Sequence, residues 1–531
     1  MYKVLIRDDM ALCAKEILTA TGQIEVVIDN NKENGKPENL AKLISEYDGL
    51  AIRSGTKVTA AVLENAPRLK VIGRAGIGVD NIDTKAATQK GVVVMNAPGG
   101  NTRTTAEHAI AMMLALARNI PQGTSSLRSG RWEKKNLRGI EITAKTLGIF
   151  GLGHIGKIAA QLAQGLKMKV VACDPFITTE AARELGVEIM AADEMLACAD
   201  FISMHVPRLP ETTNMINSAT IAKMKPGVRL INCARGEVVN LDDLYAALES
   251  GQVAGAALDV LPKEPPDPDL PILNHPNVIL TPHLGASTGE AQNKVAEMIG
   301  NQMSAYLTEG VIVNAVNFPS VAPEVLKTLA PHLELAENLG AILGQLVRNL
   351  HDINITYSGE IAGLTTRPLT HAVLKGLLGS FTDQPVNHVN APLLAEQKGI
   401  KVKETVTQDQ GHYNGLIKVK LEGCKAETDE IWGAVFEHSY QRIVRLGKTY
   451  MDVIPEGAMI VIQNIDKPGV IGNVGTVLGR HDINIGRFQL GRREDRALCM
   501  VNVDTPADET VIAELKDLPN ILVVQQVILN G

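Results

Sequence analysis

Residues 147–157 read LGIFGLGHIGK. A short apolar run breaks into Gly151, Gly153 and Gly156 and passes directly into GKIAAQLAQGL, a helix-like segment. Strand, tight turn and helix follow without a linker, and the three glycines of GxGxxG take separate duties. The first makes the turn, the second admits backbone to a pyrophosphate, and the third lets helix and strand pack closely. The helix N-terminus adds free N–H groups for the anion. The next strand, KVVAC, ends in Asp174, 18 residues past Gly156. An acid at that distance accepts hydrogen bonds from adenosine ribose hydroxyls and repels a 2′-phosphate, which favours NAD over NADP. The plainer alternative, glycines that only permit close packing beside a surface carboxylate, needs strand, helix and acid to coincide by accident.

Such a turn often opens a chain, yet here a first unit precedes it. YKVLIRD, IEVVID, GLAIRS, LKVIGRAG and GVVVMN are β-branched runs separated by helix-like stretches. Apolar runs without polar alternation read as strands buried on both faces of a parallel sheet. After NAPGGN comes TTAEHAIAMMLALARNI, a helical sequence apolar enough to be buried between domains or subunits, ending in the polar SSLRSGRWEKKN. The second series then supplies six candidate strands: KTLGIFGLG, MKVVACD, ADFISMHVP, GVRLINCA, GAALDV and NVILTPH. Six runs joined by helix-sized segments match a doubly wound sheet. A helical continuation from His283 to Gly310 has its natural place on the first unit, which makes that unit discontinuous.

At 531 residues the chain needs several cores, and 45% hydrophobic content with only 3% aromatics and 47 glycines favours α/β layers. A net charge of −7 gives no footprint for nucleic acid. Small molecules and other subunits are the expected partners. Cys13, Cys173, Cys198, Cys233, Cys424 and Cys499 show no CxxC pair and no zinc-type spacing, so they read as reduced structural thiols, and no metal is expected. The N-terminus has no signal-type segment and no run long enough to span a membrane, which makes the cytoplasm the expected location.

NAVNFPSVAP, 314–323, has the composition of a linker. Residues 318 to about 455 combine a helical opening with strand-like DINITYSGEIAG and NGLIKVKLEG. The last 75 residues read strand, helix, strand, strand, helix, strand, a ferredoxin-like βαββαβ order.

Three residues stand just past later strands, where open α/β sheets place ligands. Arg235 follows VRLINCA, Glu264 lies in DVLPKEPP, and His283 follows NVILTP. Oxidation of an alcohol by NAD needs a base for the hydroxyl proton, which suits the His283 imidazole. A carboxylate on its other ring nitrogen, Glu264, would fix the tautomer and favour the imidazolium. Arg235 offers a planar two-point grip on a substrate carboxylate. Taken singly these read as a turn arginine, a solvated glutamate and a helix-start histidine; taken together, downstream of a cofactor turn, they read as a site. His108, His205 and His481 show no comparable partner pattern and read as structural.

GLGHIGK with VVACDP, NCARGEVVN, ALDV followed by KEPP, and TPHLGAST together resemble the D-isomer-specific 2-hydroxyacid dehydrogenase family. RAGIGVDNID, NAPGGNT and the two extra C-terminal units are similar to its long members that act on D-3-phosphoglycerate, and the match runs essentially end to end. The resemblance implies a Rossmann doubly wound nucleotide domain, 98–283, inserted in a flavodoxin-like α/β substrate domain, 1–97 and 284–316. An α+β intervening domain, 317–455, and a ferredoxin-like ACT regulatory domain, 456–531, follow.

It assigns Arg235, Glu264 and His283 the roles derived above. For the cofactor NAD it implies contacts from Gly151, Gly153, His154, Ile155, Gly156, Asp174, Pro207, Cys233, Ala234, Arg235, Asp259, His283, Gly285 and Ala286. Arg53 and Ser54 in IRSGT and Asn101 in GGNT, with Arg235 and His283, would face the substrate; by its residues alone Arg53 is a loop arginine after a strand. Two positions depart from relatives that carry a hydroxyl residue there: no cofactor contact is carried over to Ile77, and any contact at Val206 would be backbone or apolar.

The implied activity is NAD-dependent oxidation of D-3-phosphoglycerate to 3-phosphohydroxypyruvate, the first step of L-serine biosynthesis. The alternatives are another D-2-hydroxy acid (2-hydroxyglutarate, glycerate or lactate) or an NAD-sensing protein without turnover. IDKPGVIGNVGTVLGRHDINI resembles an ACT opening, in which Asp466 and Asn484 can meet the amine and carboxylate of an effector such as L-serine; the alternative is a dimerisation module without ligand. The apolar helix and the ACT unit point to a homo-oligomer, with a tetramer expected.

Overall fold

The computed structural model describes residues 1–319, 323–347, 352–382, 384–409, 413–423, 427–437 and 439–529. Cys424 lies outside the described residues; Cys13, Cys173, Cys198, Cys233 and Cys499 are free thiols.

The five apolar runs of the first unit form one parallel sheet, with Tyr2–Ile6 flanked by Ile24–Ile28 and Gly49–Ile52, then Val71–Arg74 and Val93–Asn96. In chain numbering the order is 2-1-3-4-5, the flavodoxin-like arrangement. Ile24–Ile28, at the edge, is only partly covered. Helix Gly289–Glu309, far away in sequence, closes one face of this sheet: Val295, Ile299 and Met303 share a core with Val4, Val71 and Val93. The helix starts where the Thr288 hydroxyl accepts the Ala291 N–H at 3.2 Å and stops at Gly310, which takes the left-handed φ of 73° that side chains disfavour.

The glycine turn opens a seven-stranded sheet, every pairing of which is parallel. The six anticipated strands are present, with a seventh of two residues, Glu188–Ile189, at one edge beside Lys169–Cys173. The order is then the doubly wound 3-2-1-4-5-6 with one strand added beyond it. The apolar helix is interrupted at Asn119, whose φ of 52° ends Thr102–Ala117 and starts Ile120–Arg128. Ala109, Met112, Met113 and Leu116 are buried by this same sheet and not by a second subunit. Ile120 and Leu127, on the shorter helix, remain 55% and 61% exposed.

Of the stretch read as a linker, residues 320–322 lie outside the described residues, and the part at 314–319 is docked. The Val316 N–H bonds Val94 O at 2.7 Å, and the Asn317 side chain accepts the Val94 N–H at 2.9 Å while its amide donates to Thr88 and Val92. Among the described residues the intervening unit has six strands, two of them supplied by DINITYSGEIAG and NGLIKVKLEG, and helices Pro323–Leu346, Arg367–Leu378 and Ala391–Gln397. The last unit is the expected βαββαβ. Ala458–Ile465 lies between Arg496–Val503 and Ile521–Ile528, and Ile485–Arg493 forms an outer edge. One face of this sheet, through Met459, Val461, Met500 and Val527, shares a core with the intervening unit. Among the described residues no helix is long and apolar enough to cross a membrane.

Candidate active site

At the glycine turn each glycine has a distinct steric reason. Gly151 has φ 87°, and a Cβ there would lie 2.7 Å from His205 O; a Cβ at Gly156 would lie 2.1 Å from Gly151 O. At Gly153 nothing lies within 4 Å, leaving open space at the N-terminus of helix His154–Gly165. That is the cradle a pyrophosphate needs. Asp174 reaches the same turn: its Oδ2 accepts the Leu152 N–H at 2.7 Å and its Oδ1 the Phe176 N–H at 2.8 Å. The residues fit a dinucleotide.

Beyond the sheet ends, His283 Nδ1 and Glu264 Oε2 are 2.8 Å apart, and Glu264 Oε1 accepts the Leu261 N–H at 3.0 Å. His283 has φ 55°, a left-handed conformation that non-glycine residues keep where the surroundings fix them, often at active sites. Its surroundings do so through buried Asp259. The His283 N–H bonds Asp259 O at 2.8 Å, and the Asp259 carboxylate accepts the N–H groups of Leu284 and Gly285 at 2.7 and 2.9 Å. Asp259 Oδ1 also meets Thr281 Oγ1 at 2.5 Å and His108 Nε2 at 3.1 Å. His108 therefore does have a carboxylate partner, contrary to the sequence expectation. So does His481, with Glu514 at 2.7 Å, while His205 meets Ser203 at 3.0 Å.

The hydrogen bond to Glu264 outweighs burial and raises the His283 pKa above its usual value. Burial alone would raise Glu264, but the bonds from His283 and Leu261 hold it below the usual carboxylate value. Burial, which favours an uncharged ring, brings His205 down to about 4. The donor atoms of His108, Cys233 and Asp259 lie within 4.8 Å of one another. Asp259 Oδ1 already has three hydrogen-bond partners in Thr281, Leu284 and His108, and burial pushes the Cys233 thiol up.

Arg235 reaches across to the first unit: its Nε donates to Asp80 Oδ2 at 3.0 Å and its Nη1 to Ala234 O at 2.7 Å. Gly78 makes room for it, since a Cβ there would sit 1.9 Å from Nη2. Arg74 enters the same pocket, its buried Nε without a hydrogen-bond partner among the described residues; burial, then neighbouring Arg235, brings it down to about 10. Asn101 starts helix Thr102–Ala117 without capping it, and its buried Oδ1 likewise has no hydrogen-bond partner among the described residues.

A pocket of about 330 Å³ gathers these groups. Of the sequence-predicted residues, Arg53, Ser54, Asn101, Ile155, Pro207, Cys233, Ala234, Arg235, Asp259, His283, Gly285 and Ala286 line it. Gly151, Gly153, His154, Gly156 and Asp174 form the adjoining glycine turn, and Glu264 stands behind His283. Asp466 and Asn484 do not line the pocket and lie in the last sheet's loops, Asp466 beside Arg492 at 3.4 Å and Asn484 donating to Asp504 at 2.8 Å. Arg74, Gly78, Asp80 and His108 escaped the sequence reading. RAGIGVD carried a usable signal for the first three, an arginine and an acid around glycines at a strand end. A larger cavity of about 870 Å³ lies between Phe318 and helix Arg367–Leu378, and it gathers no acid–base pair comparable to His283 and Glu264.

D-3-Phosphoglycerate dehydrogenase of Archaeoglobus fulgidus is 42% identical over 525 residues, covering 96% of this chain and 98% of that protein. The chain belongs to the D-isomer-specific 2-hydroxyacid dehydrogenase family. The D-3-phosphoglycerate dehydrogenase of Bacillus subtilis is 40% identical over 99% of both chains. The NAD binding domain model of the family matches 110–285, the D-3-phosphoglycerate dehydrogenase intervening domain 328–447, and the ACT domain 458–520. Among solved structures, a glyoxylate reductase from Paecilomyes thermophila superposes with a TM-score of 0.54 at 28% identity, covering 59% of this chain and 98% of that one. This family member thus carries the catalytic fold together with an intervening and an ACT unit, and its cofactor is NAD.

Proposed function

We propose that the chain oxidises D-3-phosphoglycerate at C2 to 3-phosphohydroxypyruvate with NAD, the entry to L-serine biosynthesis. The observation that carries this reading is the convergence of Arg53, Arg74 and Arg235 on one pocket beside the His283–Glu264 pair. A substrate with a carboxylate at one end and a phosphate at the other needs that much positive charge, and a smaller uncharged-tail acid does not. The names of the full-length relatives support the same substrate.

In this reading Arg235 grips the carboxylate and polarises the C2 oxygen, while Arg53, Ser54 and Arg74 take the phosphate and Asn101 the near end of the molecule. Neutral His283 accepts the C2 hydroxyl proton as the carbonyl forms, and Glu264 stabilises the imidazolium that results. Bound NAD supplies the acceptor for the hydride leaving C2. Gly151, Gly153 and the start of helix His154–Gly165 would hold its pyrophosphate and Asp174 its ribose, while the Cys233–Arg235, Asp259 and Gly285–Ala286 segments would frame the nicotinamide end.

We take 1–97 with 284–316 as the substrate domain, 98–283 as the nucleotide domain, 317–455 as the intervening domain and 456–531 as the regulatory domain. A cytoplasmic homo-oligomer, a tetramer, completes the proposal. Free thiols and the exposed Ile120, Leu127 and Trp132 support it, and so does the ACT match for L-serine as effector. The test is a panel of D-2-hydroxy acids with NAD, comparing wild type with His283→Ala. Turnover of lactate or glycerate as good as that of phosphoglycerate would overturn the substrate, and a His283→Ala rate within a few-fold of wild type would overturn the mechanism.

A further inference from the structure

Residues 53–56 leave strand Gly49–Ile52 as an irregular loop that forms a wall between two openings. Arg53 and Ser54 line both the 330 Å³ active-site pocket and a second cavity of about 370 Å³ behind it. Arg53 and Ser54 have open space on either side, and packing holds only the buried Thr56 at the loop's end. Two side chains tie its main chain. Asp8 Oδ2 accepts the N–H groups of Arg53 and Thr56 at 2.9 and 3.0 Å, and its Oδ1 accepts the Thr56 hydroxyl at 2.6 Å. From the other direction the Asn81 amide donates to the carbonyls of Arg53 and Thr56 at 2.8 and 2.7 Å. Both ends of the four-residue loop are thereby tied through donor and acceptor alike, a complete accounting of their main-chain polar groups.

We propose that Asp8 and Asn81 are positioning residues that determine specificity for the phosphate end of the substrate, acting through the main chain of Arg53–Thr56. The proposal rests on the reading of Arg53 and Ser54 as phosphate ligands. The Arg53 guanidinium makes no hydrogen bond or ion pair among the described residues, so its direction follows from its own backbone, which the frame sets.

The frame is itself anchored. Arg7, 1% exposed, donates through Nε to Thr56 Oγ1 at 3.3 Å, through Nη1 to Asp29 at 2.7 Å and through Nη2 to Asn31 O at 2.7 Å. Asp8 and Asp9 hold φ of 62° and 49°, two successive non-glycine residues in the left-handed region. Such conformations persist where the surroundings over-determine them, and they cluster at ligand clamps. Gly55 lies over the Asp8 carboxylate, where a Cβ would stand 3.1 Å from Oδ1.

The test uses the full chain with Asp8→Asn, Asn81→Asp and Thr56→Val. Asp8→Asn keeps the shape and removes an acceptor, Asn81→Asp removes both donors, and Thr56→Val removes only the hydroxyl. Initial rates with NAD are compared for D-3-phosphoglycerate and for D-glycerate, which lacks the phosphate, with NADH dissociation constants read by fluorescence and folding by thermal melting. The expected result is a rise of about tenfold in KM for phosphoglycerate, kcat within about threefold, and unchanged D-glycerate kinetics and NADH affinity. In an Arg53→Ala background, Asp8→Asn should add much less than in the wild type, because coupled residues are non-additive and only Ser54 is left for the loop to place. Equal losses on both substrates, loss of NADH affinity, or additivity with Arg53→Ala would overturn the proposal. If Asp8→Asn does not fold, Asn81→Asp and Thr56→Val read the same loop, and an unchanged phosphate preference in both is an overturning result. A wild type that turns over both substrates alike would sink the phosphate reading, and the inference with it; a wild type that prefers phosphoglycerate with variants that keep the preference sinks the inference alone.

Discussion

Arg235 Nε lies 3.0 Å from Asp80 Oδ2, joining the end of a strand in the seven-stranded sheet to a loop of the five-stranded one. The arginine proposed to grip the substrate is thus held from across the cleft. Asp80 takes Nε, Ala234 O takes Nη1, and Nη2 rests against Gly78.

Asp80→Asn keeps the shape of this contact and removes its charge. The pair is partly exposed, so a contribution of about 0.5–1 kcal/mol applies. Steady-state kinetics should show KM for the hydroxy acid raised about two- to fivefold. Gly78→Ala, which drives a methyl into the guanidinium, should cost far more. Equal kinetics for Gly78→Ala and wild type would mean that Arg235 does not work from this position.

His283 titrates above its ordinary value because Glu264 holds its imidazolium, so the pH profile has a definite sign. Oxidation needs the neutral ring. The rate should therefore fall as pH drops through a value above 6.5, and reduction should fall as pH rises through it. Glu264→Gln should move the acid limb of oxidation to lower pH, and His283→Ala should cost on the order of 10²–10⁴ in kcat. The raised pKa also adds stability that is fully present below the unfolded value and lost as pH rises through the folded one. A pH–rate profile whose acid limb is unmoved in Glu264→Gln would separate the two residues.

These contacts also mark what a sequence can disclose. The glycine turn, Asp174 and the apolar strands are legible because each depends on neighbours within one βα unit. The pairing of His283 with Glu264 was legible because both sit just past adjacent strands. Asp80 and His108 were not, since their partners lie 155 and 151 residues away and nothing local distinguishes a surface acid from one aimed across a cleft. Glu188–Ile189 is too short to show a period, and the 314–319 segment looked like a linker because the groups that satisfy Asn317 are more than 220 residues distant.

Asp174 accepts the Leu152 N–H of the glycine turn, and in the proposed reading it would also meet the ribose of NAD. Asp174→Ala should raise the KM for NAD roughly tenfold or more, the worth of a hydrogen bond to a charged group, and should narrow the preference over NADP by removing a charge that repels the 2′-phosphate. Hydroxy-acid KM should change little. An NAD/NADP ratio identical to wild type would assign Asp174 to the turn alone.

The last prediction concerns the ACT unit. Within one chain Asp466 pairs with Arg492 and Asn484 with Asp504, so an amino acid bound there must replace contacts that already exist. If L-serine is the effector, its amine takes over from Arg492 at Asp466 and its carboxylate takes the Asn484 amide from Asp504. Millimolar L-serine should then lower the oxidation rate and raise the melting temperature, since a ligand at about 100 times its Kd stabilises by about 2.7 kcal/mol. Asp466→Ala and Asn484→Ala should abolish both effects while leaving the uninhibited rate intact, because neither residue lines the 330 Å³ pocket. If L-serine moves neither rate nor melting temperature, the unit pairs chains without reading an amino acid, and the two polar pairs are structural.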